Sequence, residues 1–317
     1  MDKPVVWIAE PDGFSNPAKV LLEANAQVIY QTINPDQIPQ ILNACDAFWF
    51  RLKFTINRSN LVNNQRCKII ITPVTGLDHI DLDACKEMGI KILSLKGETD
   101  FLKDVRATAE HTFALMLSLI RKIVPAVNHT LLGNFNRNLF KGTELYNKTL
   151  GIIGFGRLGT MVAQYALVFG MKVIFYDIKE ISNPGIGKCE FKNLKDLLAE
   201  SDIVSLHVDL KTENRNMVNQ DFLSKMKKNA ILINTSRGAL IDENALVQYL
   251  LSGHVSGAAL DVLADEPNVN YDSTLFNYFK THDNLIITPH IGGNTEESFE
   301  KTELFLVQKL METFSNV

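Results

Sequence analysis

Short uninterrupted apolar runs recur along this chain, separated by stretches in which apolar residues return every three or four positions. The first hundred residues carry five runs: VVWIAE (5–10), AQVIY (26–30), AFWF (47–50), KIIIT (68–72) and IKILSL (90–95). Runs this short, bounded by turn residues, read as buried strands, and segments such as NPAKVLLEAN and DLDACKEMG between them read as helices. Strands alternating with helices imply a parallel sheet covered on both faces. A single long helix is predicted from about Val105 to Ile123. After it a second alternating series begins, with strands in LGIIGF, MKVIFYD, DIVSLHV, NAILINT and VSGAALDV. The chain closes on an LIITP strand and a helix from about Thr295. The expected fold class is therefore α/β, with two doubly wound parallel-sheet domains. The first domain takes residues 1–98, the second 99–288, and 289–317 return to the first.

Composition changes this picture little. A chain of 317 residues is too long for one small core. It is 46% hydrophobic and 21% charged, as ordinary globular chains are. A net charge of −4 offers no electrostatic footprint for nucleic acid or an anionic membrane. The apolar stretch TFALMLSLI is too short to span a bilayer. MDKPVVWIAE moves straight into a strand and lacks the shape of a signal peptide. Cys45, Cys67, Cys85 and Cys189 show no C-x-x-C spacing, so no zinc site or disulfide framework is expected. These features together predict a cytoplasmic protein.

Candidate chemistry starts in LGIIGFGRLG. Gly154, Gly156 and Gly159 stand in G-x-G-x-x-G spacing after an apolar strand and before a helical pattern. Alone the spacing is weak. A second strand then ends in Asp177, at about the distance the dinucleotide fingerprint requires. Gly154 permits the tight turn, Gly156 admits the pyrophosphate, and Gly159 lets helix and strand pack closely. The helix N-terminus presents free N–H groups to the phosphates. Asp177 is placed to accept from ribose hydroxyls and to repel a 2′-phosphate, which selects NAD.

Three further loops follow strands. INTSRGALIDENAL carries Arg237, ALDVLADEP carries Asp261 and Glu266, and TPHIGG carries His290. Each polar residue alone also reads as structural: a surface arginine, a solvated glutamate, a capped strand end. Behind a dinucleotide fingerprint, the three together predict a site at the nicotinamide end of the cofactor.

These four motifs, with TPVTGLDHIDL and RATAEHTFALMLSLIRK, resemble the D-isomer-specific 2-hydroxyacid dehydrogenases from roughly Thr72 to Ser298. The resemblance implies a flavodoxin-like substrate domain and a Rossmann NAD-binding domain, with NAD and substrate bound between them. It implies hydride transfer between NAD(H) and a 2-keto acid, giving a D-2-hydroxy acid. Arg237 would bind the substrate, His290 would be the acid–base group, and Glu266 would hold its imidazole. Val74, Thr75 and Gly76 match the loop whose backbone N–H groups receive the substrate carboxylate, with Thr75 also near the cofactor. Arg157 and Leu158 match the pyrophosphate site, and Val208 the adenosine wall. Thr235, Ser236, Asp261, Gly292 and Gly293 match the nicotinamide surroundings.

Four positions depart from the family pattern. Asp209 stands where a proline is common, Asp104 where many relatives carry Asn, and Leu52 and Phe54 replace small polar residues of the phosphoglycerate members. Arg51 remains and is a candidate for an anionic substrate group. The bulky pair predicts a differently shaped pocket and argues against phosphoglycerate. No C-terminal regulatory domain is expected beyond Val317. The family also implies a homodimer built on the long helix and the arm after it. The alternative reading is an NAD-sensing, corepressor-like interaction protein on the same scaffold, which would bind NADH with little turnover.

Overall fold

A computed structural model describes residues 3–63, 65–181 and 185–315. The chain divides into two compact units, Met1–Val105 with Asn294–Val317, and Arg106–Gly293. These divisions fall a few residues beyond the expected breaks after residues 98 and 288. Both units are parallel-sheet α/β structures.

The first unit holds β1 (Val5–Ile8), β2 (Gln27–Tyr30), β3 (Ala47–Trp49), β4 (Ile69–Thr72) and β5 (Lys91–Ser94), in the order β2-β1-β3-β4-β5. This is the flavodoxin-like order. Side chains alternate across a strand, and both faces here are buried. Val6 and Ile8 point to one face with Trp49, Ile69 and Ile71. Trp7 and Ala9 point to the other with Phe48, Phe50 and Ile70. The first face is covered by α1 (Asn16–Asn25) and by the C-terminal helix Glu296–Ser315, which inserts Leu306, Val307 and Leu310. The second is covered by α2 (Ile38–Ala44) and α3 (Leu82–Glu87).

The second unit begins with α4 (Ala107–Ile120) and α5 (Ile123–Leu131). The helix expected from about Val105 to Ile123 is α4, and a second helix, α5, follows it where a connection was expected. A continuous helix would drive the ring of Pro125 into the carbonyl of Arg121 and forfeit a hydrogen bond. The chain instead turns at Lys122, at φ 53°, and Pro125 falls in the first turn of α5, where its missing N–H costs nothing.

The sheet that follows contains β6 (Thr149–Ile153), β7 (Lys172–Tyr176), β8 (Cys189–Phe191), β9 (Ile203–Leu206), β10 (Ala230–Asn234), β11 (Val255–Leu260) and β12 (Leu285–Ile287). The order is β12-β11-β10-β9-β6-β7-β8, all parallel. The edge strand β8 was not foreseen: three residues, Cys-Glu-Phe, are too few to show a period. α4 and α6 (Arg157–Val168) pack on one face through Phe113, Met116, Val162 and Ala166. α7 (Leu194–Glu200), α8 (Gln220–Lys225), α9 (Glu243–Leu251) and α10 (Thr274–Phe279) cover the other. The strand order reverses between β6 and β9. Open α/β sheets bind ligands at the carboxyl ends of their strands at such a reversal.

Arg51, the candidate for an anionic substrate group, follows β3, and two of its guanidinium nitrogens are hydrogen-bonded inside the first unit. Nη2 donates to Glu303 Oε1 at 2.6 Å, and Nη1 donates to the carbonyls of Glu10 and Asp12 at 2.9 and 3.1 Å. The ring of Phe299 lies 4.3 Å beneath it. Glu303 is fully buried, and its Oε2 accepts from the Ser15 amide at 2.6 Å. Phe54 is likewise core, packed on Phe50. Removing Glu303 leaves a nearly buried guanidinium unpaired, so Glu303→Ala should cost about 3–5 kcal/mol. Both tryptophans, Trp7 and Trp49, lie in this unit. Denaturant unfolding followed by their fluorescence therefore reads it alone. A loss below about 1 kcal/mol, the worth of an exposed pair, would mean that the pair is no strut.

Candidate active site

The glycine turn sits at the sheet's reversal. Gly154 has φ +91°, and a Cβ there would lie 2.4 Å from the carbonyl oxygen of His207 at the end of β9. A Cβ on Gly159 would lie 2.1 Å from the carbonyl oxygen of Gly154. A Cβ on Gly156 would meet nothing within 4 Å. Two glycines are thus required by the protein's own backbone. The third leaves open space before the N-terminus of α6, where backbone N–H groups lack helical acceptors. That combination fits a dinucleotide pyrophosphate. Arg157 and Leu158 open α6, both half-buried, and burial pushes the Arg157 guanidinium below its ordinary value.

Asp177 follows β7. Its Oδ2 accepts from the Phe155 amide at 2.8 Å and its Oδ1 from the Lys179 amide at 3.1 Å. The carboxylate is thereby fixed beside the glycine turn. Val208 reaches the same turn: its Cγ1 would lie 2.7 Å from a Cβ on Gly154. Asp209 is exposed on the loop beyond.

The Arg237 loop follows β10. The fully buried Asn234 braces it, accepting from the Ser236 amide at 3.0 Å and donating to the Arg237 carbonyl at 2.9 Å. Ser236 Oγ donates to the Leu206 carbonyl, and Thr235 Oγ1 lies 2.9 Å from Thr112 Oγ1 on α4. Arg237 itself is half-buried, with Nη1 donating to the Ser236 carbonyl. A Cβ on Gly238 would fall 1.9 Å from the carbonyl carbon of Leu263. Only glycine lets this turn lie directly on the 263–266 loop. There the Leu263 amide donates to Glu266 Oε1 at 2.6 Å, and the Ala264 amide donates to Glu243 at 2.8 Å. Burial, with Asp265, Glu266 and Asp242 nearby, raises the Glu243 carboxyl.

The other oxygen of Glu266, Oε2, accepts from His290 Nδ1 at 2.6 Å. His290 Nε2 has no hydrogen-bond partner among the described residues. Arg237, Glu266 and His290 thus come from three strand-end loops of one unit, two packed backbone to backbone and two joined by a hydrogen bond.

His290 stands at φ 54°, and its amide donates to the carbonyls of Asp261 and Thr288 at 2.8 and 3.0 Å. Asp261, expected at the nicotinamide carboxamide, is 1% exposed. Its Oδ1 accepts from Thr288 Oγ1 at 2.6 Å, the Ile291 amide at 2.9 Å and His111 Nε2 at 3.1 Å. Its Oδ2 accepts from the Gly292 amide at 2.7 Å. Burial alone would raise this carboxyl, but those donors together outweigh it and hold it below the ordinary carboxylate range. Gly293 is the last residue of the unit. Val74, Thr75 and Gly76 belong to the first unit, in the loop after β4, with Thr75 exposed.

Sequence reasoning overlooked Asn234, His111, Thr112 and Thr288. Asn234 sits at the edge of an apolar run. Thr108, His111 and Thr112 were a legible signal: three polar residues at i, i+3 and i+4, on one face of a largely apolar helix. Among the described residues no cluster could hold a metal ion.

A glycine turn at the reversal of a Rossmann-ordered sheet, with an acidic residue beside it and a His–carboxylate pair on neighbouring strand ends, defines a dinucleotide-dependent oxidoreductase. Residues 113–292 match the family model of the D-isomer specific 2-hydroxyacid dehydrogenase NAD binding domain. The chain is 36% identical to the hydroxypyruvate reductase of Thermotoga maritima over 286 residues, 90% of each. It is 40% identical to the glyoxylate reductase of Thermococcus litoralis over 254 residues, 77% of this chain and 73% of that one. A D-lactate dehydrogenase from Aquifex aeolicus, solved with NAD and lactic acid, superposes with a TM-score of 0.86 at 30% identity, covering 98% and 96% of the two chains. This chain belongs to the D-isomer-specific 2-hydroxyacid dehydrogenase family and is an NAD-dependent enzyme of it.

His207 gives the site a pH dependence of stability. Burial lowers its pKa to about 4, and its Nδ1 is buried with no hydrogen-bond partner among the described residues. The unfolded chain takes up this proton near pH 6.5. Stability should therefore fall as pH drops from about 6.5 toward 4, by on the order of 3 kcal/mol at most. His207→Gln cannot take up that proton and should lose correspondingly less across this range, as read by circular dichroism during denaturant unfolding. Identical pH dependence in the two proteins would show that His207 is not held neutral.

Proposed function

We propose that this enzyme reduces a small, unphosphorylated 2-keto acid to its D-2-hydroxy acid, with His290, Glu266 and Arg237 as the working residues. The observation that carries this reading is the 2.6 Å pair between Glu266 and His290, on a loop against which the Arg237 turn is packed. When bound, NAD supplies the hydride chemistry. Gly154, Gly156, Arg157, Leu158 and Gly159 would hold its pyrophosphate, Asp177 its ribose hydroxyls and Val208 its adenosine. Thr235, Ser236, Gly292 and Gly293 would surround the nicotinamide. Asp261, closed to solvent, is proposed to act through the turn it holds rather than on the carboxamide.

Glu266 fixes the tautomer. A carboxylate accepting from Nδ1 leaves Nε2 as the nitrogen that delivers a proton in reduction and receives one in oxidation. Arg237 binds the substrate's carboxylate and stabilises negative charge growing on its carbonyl oxygen. Backbone N–H groups of Val74, Thr75 and Gly76 are proposed to receive the substrate carboxylate. Two observations support an unphosphorylated substrate: Arg51 is already paired with Glu303, and its neighbour Leu52 is apolar.

On this reading Met1–Val105 with Asn294–Val317 is the substrate unit and Arg106–Gly293 the NAD unit. A homodimer is proposed through α5 and the arm beyond it. No residue of α5 is buried, and Leu131, Leu132 and Phe135 are 79, 80 and 96% exposed. Apolar patches of this kind mark association surfaces. The four free cysteines support a cytoplasmic location, and no described helix is long and apolar enough to cross a membrane.

An NADH-oxidation assay across glyoxylate, hydroxypyruvate, pyruvate, branched keto acids and phosphohydroxypyruvate tests the reading. Turnover is expected with an unphosphorylated acid and lost in His290→Ala at unchanged NADH binding. Glu266→Gln should lower kcat at unchanged NADH binding, because the amide no longer fixes the Nδ1–H tautomer of His290 as a carboxylate does. An unchanged kcat in Glu266→Gln, or a preference for the phosphorylated acid, counts against the assignment. For the dimer, Leu132→Asp with Phe135→Asp should halve the mass measured by light scattering; an unchanged mass removes this surface from the interface.

A further inference from the structure

The roles above leave one polar group unused. α4 is apolar along most of its length, and Phe113, Leu115, Met116 and Leu119 are buried in the core. Thr108, His111 and Thr112 interrupt it on a single face, since residues three and four apart are neighbours on a helix. Each reaches a different part of the site. Thr112 meets Thr235, just before Arg237. Thr108 lies under Gly292, whose added Cβ would be 3.3 Å from its methyl group. His111 meets Asp261 and Thr288, each at 3.1 Å.

We propose that His111 is a positioning residue for His290, acting through Asp261 and Thr288. The inference rests on the reading of His290 as the acid–base group.

The hydrogen count fixes His111's part. Thr288 has one hydroxyl hydrogen, and it is given to Asp261 at 2.6 Å. In its contact with His111, Thr288 can therefore only accept. Asp261 is a carboxylate and also only accepts. His111 Nε2 thus carries a hydrogen, shared between the two oxygens.

Those oxygens belong to the groups that hold His290. Its amide is bound by the carbonyls of Asp261 and Thr288, and the next two amides are bound by the Asp261 carboxylate. A non-glycine residue at φ 54° persists only where its surroundings impose it. Take away the His111 donor and the buried carboxylate is one donor short, while the Thr288 hydroxyl loses the partner that orients it. The 288–292 turn is then free to move, and with it the line from Glu266 through His290 to the substrate. The dinucleotide's phosphates are held elsewhere, so binding of NADH should stay as it is. Such misplacement shows in kcat before it shows in affinity.

The test compares His111→Gln, whose side-chain amide can place an N–H near the position of Nε2, with His111→Leu, which fills the space without a donor. Thr288→Val and His290→Ala complete the set, and the probe is whichever keto acid the wild type turns over. We expect His111→Gln to keep kcat within about threefold of wild type. Leu at 111 and Val at 288 should each lose about ten- to a hundredfold in kcat, the scale of a misplacement near the reacting groups, with NADH Kd and keto-acid KM within about threefold. Equal kcat in the Gln and Leu variants, whether both high or both low, overturns the proposal. A kcat loss matched by an equal loss of NADH affinity overturns it too. If His111→Leu does not fold, Thr288→Val against wild type decides by the same criteria. His290→Ala separates the two layers. Activity that survives it removes the acid–base reading itself, whereas inactivity there beside a fully active His111→Leu removes only the role of His111.

Discussion

A carboxylate shut away from water must be supplied with hydrogen-bond donors or give up its charge. Asp261 is in that position, and much of the second unit's geometry can be traced to how it is met. Its donors come from the turn after β12, from Thr288 and from a histidine on α4. Strand, turn and helix are therefore tied at one point. The left-handed backbone of His290, the placement of Glu266 beside it and the close passage of Gly292 over α4 all belong to this knot. A charge that burial alone would have neutralised becomes the anchor of a turn.

Other carboxylates in the chain show how environment divides the work of one functional group. Glu303 is as deeply buried as Asp261, yet it is answered by a cation, and the pair serves architecture. Glu266 keeps one oxygen on a backbone amide and gives the other to an imidazole, so its charge acts on a group that can exchange protons. Asp177 is half-open and held by two amides at the lip of the glycine turn, which leaves acceptor capacity facing outward. None of these roles follows from the residue type. Each follows from which donors the fold brings and how many lone pairs remain.

Much of this was legible in the sequence. Two parallel sheets could be read from apolar runs because strands buried on both faces need no polar alternation to be seen. The glycine turn could be read because Gly154 and Gly159 are demanded by neighbouring backbone, and such demands leave a fixed spacing. Arg237, Glu266 and His290 stood out as polar residues just past apolar runs. What escaped depends on contacts between distant segments. Arg51 reads as a candidate ligand residue, and only the fold reveals its pairing with Glu303, far along the chain. Asn234 and His111 look like the end of a strand and one polar position on a helix until their partners arrive. β8 was missed because three residues carry no period, and α5 because nine residues give a short pattern behind a longer helix.

The C-terminal helix has a consequence for the order in which the protein is made. Its Leu306, Val307 and Leu310 complete one face of the first sheet, and its Glu303 neutralises Arg51. During synthesis the five strands of that sheet leave the ribosome first, and the whole central unit follows before these residues exist. The first-made sheet must therefore wait with one apolar face only partly covered, by α1, and with the Arg51 guanidinium lacking its carboxylate, while the later-made unit is free to fold around its own sheet. The nascent chain is thus most exposed to chaperones, and most open to wrong partners, at the end it made first.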